Sequence, residues 1–187
     1  MPNFTRKAIK ASFMKLLNER PLSQITVKDI VEDCGINRNS FYYHFQDLPS
    51  LVEEIVTEEA DRIIQEYSSI DSIEKCLDVA VEFALQNRKA ALHIYNSVNR
   101  DLYEQYLLNV CQHVVTAYIK NAFPDAPLSE RDQEIIIRFY KCECFGQIIE
   151  WMNNGMKDDI REPFHRLCEL RKGMVEELFR RSMENPE

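Results

Sequence analysis

The chain has 187 residues, 45% of them apolar, enough for one or two packed domains and ordinary for a globular protein. Its formal charge of −8 excludes a surface that attracts nucleic acid everywhere. Residues 1–50, however, hold seven Lys or Arg against five Asp or Glu, a balance of +2, so the remainder carries −10. Acid in the body with mild base at one end suits a protein that meets DNA with that end. No run approaches the ~20 apolar residues of a membrane span, and no signal-peptide pattern opens the chain, so no membrane contact and a cytoplasmic location are expected.

Only four glycines are present and no stretch alternates like a half-buried strand, whereas most segments repeat at the helical period, so the fold is expected to be all-α. Residues 4–19 form the first predicted helix, with Ile9, Phe13, Leu16 and Leu17 as its apolar stripe. Arg6, Lys7 and Lys10 gather near its start, placed to flank DNA. Pro21 ends it, since proline cannot continue the hydrogen-bond ladder.

The next stretch, TVKDIVEDCGINRNSFYYHF, reads as two short helices joined by a tight turn. Val27, Ile30, Val31 and Cys34 give the first an apolar face, and Thr26 is its N-cap. Gly35 supplies the left-handed turn. Asn37 caps the second helix, on which Ile36, Phe41 and Phe45 point inward. Asn37, Arg38, Asn39, Tyr42 and Tyr43 are left toward solvent, and these are groups that hydrogen-bond to base edges and phosphates.

The run from Thr26 through Leu51, T-V-x-D-I-V-x-x-C-G-I-x-x-x-S-F-Y-Y-H-F followed by L-P-S-L, resembles the DNA-binding domain of the TetR/AcrR family of bacterial transcriptional regulators. The resemblance implies a three-helix head whose Ser40, Tyr42 and His44 contact phosphates. It places Asn37, Arg38, Asn39 and Tyr43 on the base-facing side of a recognition helix, and Thr26 joins them as a DNA-binding candidate. One departure is Leu48, where the family often has a lysine.

Asp47 is expected to cap a longer helix carrying Leu48, Leu51, Val52, Ile55, Val56 and Ile63, with Pro49 in its first turn. The resemblance makes this helix the lever between head and body. Three domains follow as expectations: a helix-turn-helix domain over 1–46, a connecting helix over 47–70, and a regulatory and dimerisation domain over 71–187. Tyr67–Ser72 is the expected boundary. Helices are predicted over Ile73–Gln86, Arg88–Ser97 and Asp101–Ala122, the last ended by Pro124 to Pro127. In the family this region wraps a small-molecule effector, for which Tyr95, Tyr106, His113 and Tyr118 are the candidates here, each an apolar body with a polar tip.

Two long helices complete the pattern, one capped by Ser129 and running to about Asn153, the other from about Glu162 to Arg181. The first carries Ile135, Ile136, Phe139, Cys142, Gly146 and Ile149, an apolar surface too broad for one neighbour, and Gly146 permits close backbone approach. The second presents Phe164, Leu167, Leu170, Met174, Val175 and Leu178. The resemblance implies a four-helix bundle between two copies, with Phe139, Gly146, Ile149, Leu167, Met174 and Leu178 as the dimerisation candidates.

The six cysteines, scattered through helical segments, read as buried thiols. Cys142-x-Cys144 and Cys111-x-His113 look like metal pairs, but residues two apart on a helix diverge by about 200°, so no metal or cofactor is expected. No nucleophile motif, phosphate cradle or dinucleotide fingerprint is present, and no catalytic residue is assigned. The expectation is a homodimeric repressor on a palindromic double-stranded DNA operator, released by a small-molecule effector. The rival is the same fold with a body that binds a protein partner.

Overall fold

The computed structural model describes residues 2–66, 73–97, 100–122 and 128–184, and among these the regular structure is helical throughout. The helices are α1 (Pro2–Glu19), α2 (Val27–Asp33), α3 (Arg38–His44), α4 (Leu48–Glu66), α5 (Ile73–Gln86), α6 (Arg88–Tyr95), α7 (Arg100–Ala122), α8 (Glu130–Asn153), α9 (Arg161–Leu170) and α10 (Met174–Glu184). A 3₁₀ turn, Leu22–Gln24, links α1 to α2. The all-α class read from the apolar period is what the chain adopts. The boundary expected at Tyr67–Ser72 and the stop at Pro124 to Pro127 lie outside the described residues.

The chain divides into two compact units, one of Met1–Glu59 with Ala84–Leu107, the other of Ala60–Phe83 with Leu108–Glu187. In the first, the stripe Ile9, Phe13, Leu16 and Leu17 of α1 packs with Ile30 and Val31 of α2, Phe41 of α3 and Leu51 of α4. Leu22 and Ile25 close the core beside the 3₁₀ turn. Ser12, buried between α1 and α2, donates its hydroxyl to the Ile30 carbonyl at 3.2 Å. A buried hydroxyl without that partner would be costly.

Two later segments finish the same core. Ala90 of α6 and Tyr103 of α7 are buried in it, and Ile94 packs against it. His93 Nδ1 lies 2.9 Å from the Leu17 carbonyl, one of the acceptors that the last turn of α1 leaves open. Burial pushes the Tyr103 phenol up to about 12, with the Asp47 carboxylate adding to the shift.

The second unit is pinned by polar contacts between its helices. Arg171 reaches Glu143 of α8 at 2.8 Å and lies over the Tyr140 ring. His165 of α9 stands 3.0 Å from Asp78 of α5, and His113 of α7 stands 2.5 Å from Asp61 of α4. Trp151 donates its indole N–H to the Asp158 carbonyl at 2.9 Å, closing the turn after α8.

The single helix expected from Glu162 to Arg181 is two. Gly173 sits at φ +82, the left-handed region that glycine enters without a Cβ penalty, and Met174 N–H bonds back to the Arg171 carbonyl at 2.9 Å. The apolar spacing Leu167, Leu170, Met174, Leu178 runs straight across this break, so periodicity reads through it.

The cysteines also differ from expectation. Of those described, Cys111 alone is buried; Cys142 is exposed, and Cys34, Cys144 and Cys168 are half-buried. Cys111 and Cys144 form a thiol–thiol hydrogen bond between α7 and α8, which with burial pushes the Cys111 thiol up. Gly146 has no atom within 4 Å of where a Cβ would stand.

Candidate nucleic-acid interface

Each helix of the α2–α3 pair is closed at its ends by its own sequence. Thr26 opens α2 with a reciprocal box: Asp29 N–H donates to Thr26 Oγ1 at 3.3 Å, and Thr26 N–H donates to Asp29 Oδ2 at 2.8 Å. The Thr26 hydroxyl also donates to that carboxylate at 2.5 Å, so both its donors are already engaged. At the other end Gly35 takes φ +70, and Ile36 N–H reaches the Val31 carbonyl at 2.9 Å, the Schellman closure of a helix C-terminus.

Asn37 caps α3. Its Oδ1 accepts from Ser40 N–H at 2.8 Å and from the Ser40 hydroxyl at 3.1 Å. Phe41 is wholly buried beneath, and Phe45 behind it contacts the Phe41 ring at 5.8 Å between centroids. A second reciprocal box fixes the corner into α4: Ser50 N–H donates to Asp47 Oδ1 at 2.8 Å and Asp47 N–H to Ser50 Oγ at 3.2 Å. Leu48 packs against the core and brings no cation to the position of the family lysine.

What α3 offers solvent is polar and aromatic. Arg38 and Asn39 are exposed, Tyr42 is 56% exposed and Tyr43 80% exposed. His44, half-buried on the last turn, meets the Tyr43 ring edge-on at 5.0 Å. Asn37, Arg38, Asn39, Ser40, Tyr42, Tyr43 and His44 therefore share one short helix and its cap. Thr26 stands apart at the start of α2.

Charge is arranged differently from the raw count. Of the seven cations in residues 1–50, five are paired: Arg6 with Glu54, Lys10 with Glu54 and Glu58, Lys15 with Asp33, Arg20 with Asp29, and Lys28 with Glu32. Lys7 and Arg38 make no ion pair among the described residues. Arg6 and Lys10, expected to flank DNA, pair with carboxylates of α4 and so join α1 to α4. Arg38 is the one cation that α3 holds ready for an anion.

Burial alone would raise the Glu54 carboxyl, but hydrogen bonds from Arg6 and Lys10 outweigh it and hold it below the usual carboxylate range. A group depressed in the folded state stabilises above its unfolded pKa, about 4.3 for Glu, and that contribution fades as pH falls through the folded value. Asp29 and Asp33 are depressed too, by hydrogen bonds from Thr26 and Lys15 respectively. The first unit is therefore expected to lose stability below about pH 4. Thermal unfolding midpoints between pH 7 and pH 3 should fall less steeply for Glu54→Gln than for the parent; parallel curves would remove Glu54 from this account.

The remaining candidates are divided between the two units. Tyr95 and Tyr106 belong to the first unit, and His113 and Tyr118 to the second. Tyr95 is buried, with its hydroxyl bonded to Arg100 and the Arg100 guanidinium 4.0 Å over its ring. His113 is exposed beside Asp61. Among the dimerisation candidates, Phe139, Gly146, Met174 and Leu178 are exposed, while Ile149 and Leu167 are half-buried. Sequence reasoning missed Tyr103, His93 and Glu54, whose partners lie far along the chain and leave no local signal.

Comparison with known proteins gives a consistent picture. A family model described as bacterial regulatory proteins, tetR family, matches residues 11–55, and one described as transcriptional regulator C-terminal region matches residues 71–173, more than half the chain. An uncharacterized HTH-type transcriptional regulator YxbF from Bacillus subtilis (strain 168) is 30% identical over 56 residues, which is 30% of this chain and 15% of that protein. Among solved structures, the dihydroxyacetone kinase operon activator DhaS has the same fold, with a TM-score of 0.65 over 92% of this chain and 96% of that one at 19% identity. The capped helix-turn-helix, the helical remainder and the two matched models in that order make this chain a member of the TetR family of bacterial transcriptional regulators.

Proposed function

We propose that two copies of the chain form a repressor that reads a palindromic operator with one α3 per major groove and is released by a small-molecule effector. The observation that carries the DNA half of this reading is α3 itself: a helix capped at its start, buried through Phe41, and presenting Arg38, Asn39, Tyr42 and Tyr43 to solvent. Arg38 and the exposed amide face base edges, and Ser40, Tyr42 and His44 hold register on the phosphates. Thr26, with its donors engaged in the cap, contributes by ordering α2.

The second copy is supported by the apolar residues that one chain leaves open. Ile135, Phe139, Cys142 and Gly146 recur at i, i+4, i+7 and i+11 along α8, and all four are exposed, Phe139 by 62%. Leu170, Met174 and Leu178 are exposed across the α9–α10 break. Such a stripe on both helices suits a self-complementary interface. The effector must prefer one head separation over another, because only differential affinity shifts a two-state balance. Tyr95, Tyr106, His113 and Tyr118 remain its proposed contacts. A second reading, activation instead of repression, is favoured by the likeness in fold to DhaS, an operon activator.

Selection of binding sequences from randomised duplexes, with sedimentation of the free protein, tests this. Enrichment of a two-fold symmetric site by a dimer is the expected result. A monomer that enriches an asymmetric site would refute the dimeric half of the proposal.

A further inference from the structure

We infer that Asn39 and Tyr43 read bases beside Arg38 and that Asn37 reads no base, an inference that rests on the DNA-binding reading above. A carboxamide recognises adenine by donating Nδ2–H to N7 while Oδ1 accepts from the N6 amino group. Asn37 cannot do this and cap its helix. Its Oδ1 already receives both the Ser40 N–H and the Ser40 hydroxyl, and a carbonyl oxygen has two lone pairs. Turning that oxygen toward a base would uncap α3.

Asn39 carries the second amide, exposed to solvent. At about 100° per residue, and with the wholly buried Phe41 taken as zero, Asn39 lies at about 160° and Tyr43 at about 200°. They are the two side chains opposite the core, four residues apart and therefore stacked along one line. Arg38 and Tyr42 fall on one flank of that line, at about 60° and 100°, and Ser40 and His44 on the other, at about 260° and 300°. A helix entering a groove core-side outward thus leads with Asn39 and Tyr43, with Arg38 and Tyr42 on one side of them and Ser40 and His44 on the other. The 80% exposure of Tyr43 agrees with that leading position.

The chemistry follows. Asn39 takes an adenine through two hydrogen bonds, and Tyr43 offers a ring edge to a thymine methyl and a hydroxyl to a neighbouring base. Four residues of helix rise about 6 Å against about 3.4 Å per base step, so the two side chains address base pairs one or two steps apart.

The test is selection from randomised duplexes by the full-length protein and three variants, Asn37→Ser, Asn39→Ser and Tyr43→Ala, with helicity and unfolding midpoint recorded for each. Asn37→Ser, which keeps a capping oxygen, is expected to enrich the parent sequence. Asn39→Ser should lose about tenfold discrimination at one A·T pair in each half-site, and Tyr43→Ala at a different pair. Lost preference for Asn37→Ser together with an unchanged profile for Asn39→Ser would overturn the inference. A parent protein that enriches no sequence would instead overturn the DNA-binding reading beneath it.

Discussion

Tyr103→Ala is expected to weaken DNA binding, although Tyr103 lies in α7, far along the chain from the recognition helix. Its ring is 7% exposed in the core that holds Phe13, Ile30 and Phe41, so truncation leaves a cavity under the helix-turn-helix. Removing a large aromatic from such a core costs about 3–5 kcal/mol, a sizeable share of the ~5–15 kcal/mol by which a domain is stable. Urea unfolding followed by helicity should show a loss of about 3 kcal/mol, with operator affinity falling as the head loosens. Tyr103→Phe keeps the ring and should cost about 1 kcal/mol or less. A loss below about 1 kcal/mol for Tyr103→Ala would mean that the head holds together without α7.

The second large effect is expected at Arg38. Its exposed guanidinium has no ion pair among the described residues, whereas five other cations of residues 1–50 are neutralised. A bidentate contact from arginine to a guanine is worth about 1–3 kcal/mol of discrimination, so Arg38→Ala should cost about 10- to 100-fold on the preferred operator. It should also relax preference at one base pair. Tyr42→Phe removes one phosphate hydrogen bond and should weaken binding to all sequences about equally. Titration against base-substituted operators separates the two. Equal loss on every operator for Arg38→Ala would move Arg38 from the bases to the backbone.

The parts of the fold that were legible from sequence are those that local chemistry determines. Thr26, Gly35, Asn37 and Ser129 stand where caps and a left-handed turn are required, and the bounds of α2, α3 and α8 follow from them within a residue. The stripe Ile9, Phe13, Leu16, Leu17 is buried because a single helix face must be. Gly173 shows the limit: an apolar spacing continuous across a backbone break reads as one helix. Tyr103 and His93 show another, since a side chain that joins a core built from residues 9–52 carries no mark of it in its own neighbourhood. The neutralised cations Arg6 and Lys10 could be counted in the sequence, but their pairing with Glu54 depends on how α1 and α4 meet.

The interface itself was legible as a set but not in its internal division. Residue type marked Asn37, Arg38, Asn39, Tyr42 and Tyr43 together. Only the two hydrogen bonds on Asn37 Oδ1 separate the amide that builds the helix from the amide left for DNA.

The central claim is that α3 recognises a particular DNA sequence. It is tested most directly by binding of the purified protein to duplexes tiled across the DNA flanking its own gene, at two salt concentrations, beside the Arg38→Ala/Tyr42→Ala variant. The predicted result is tight, sequence-selective binding that the double variant loses. Weak binding that salt suppresses and sequence does not change, the same for parent and variant, would contradict it, because only the electrostatic attraction between any cation and any phosphate would then remain.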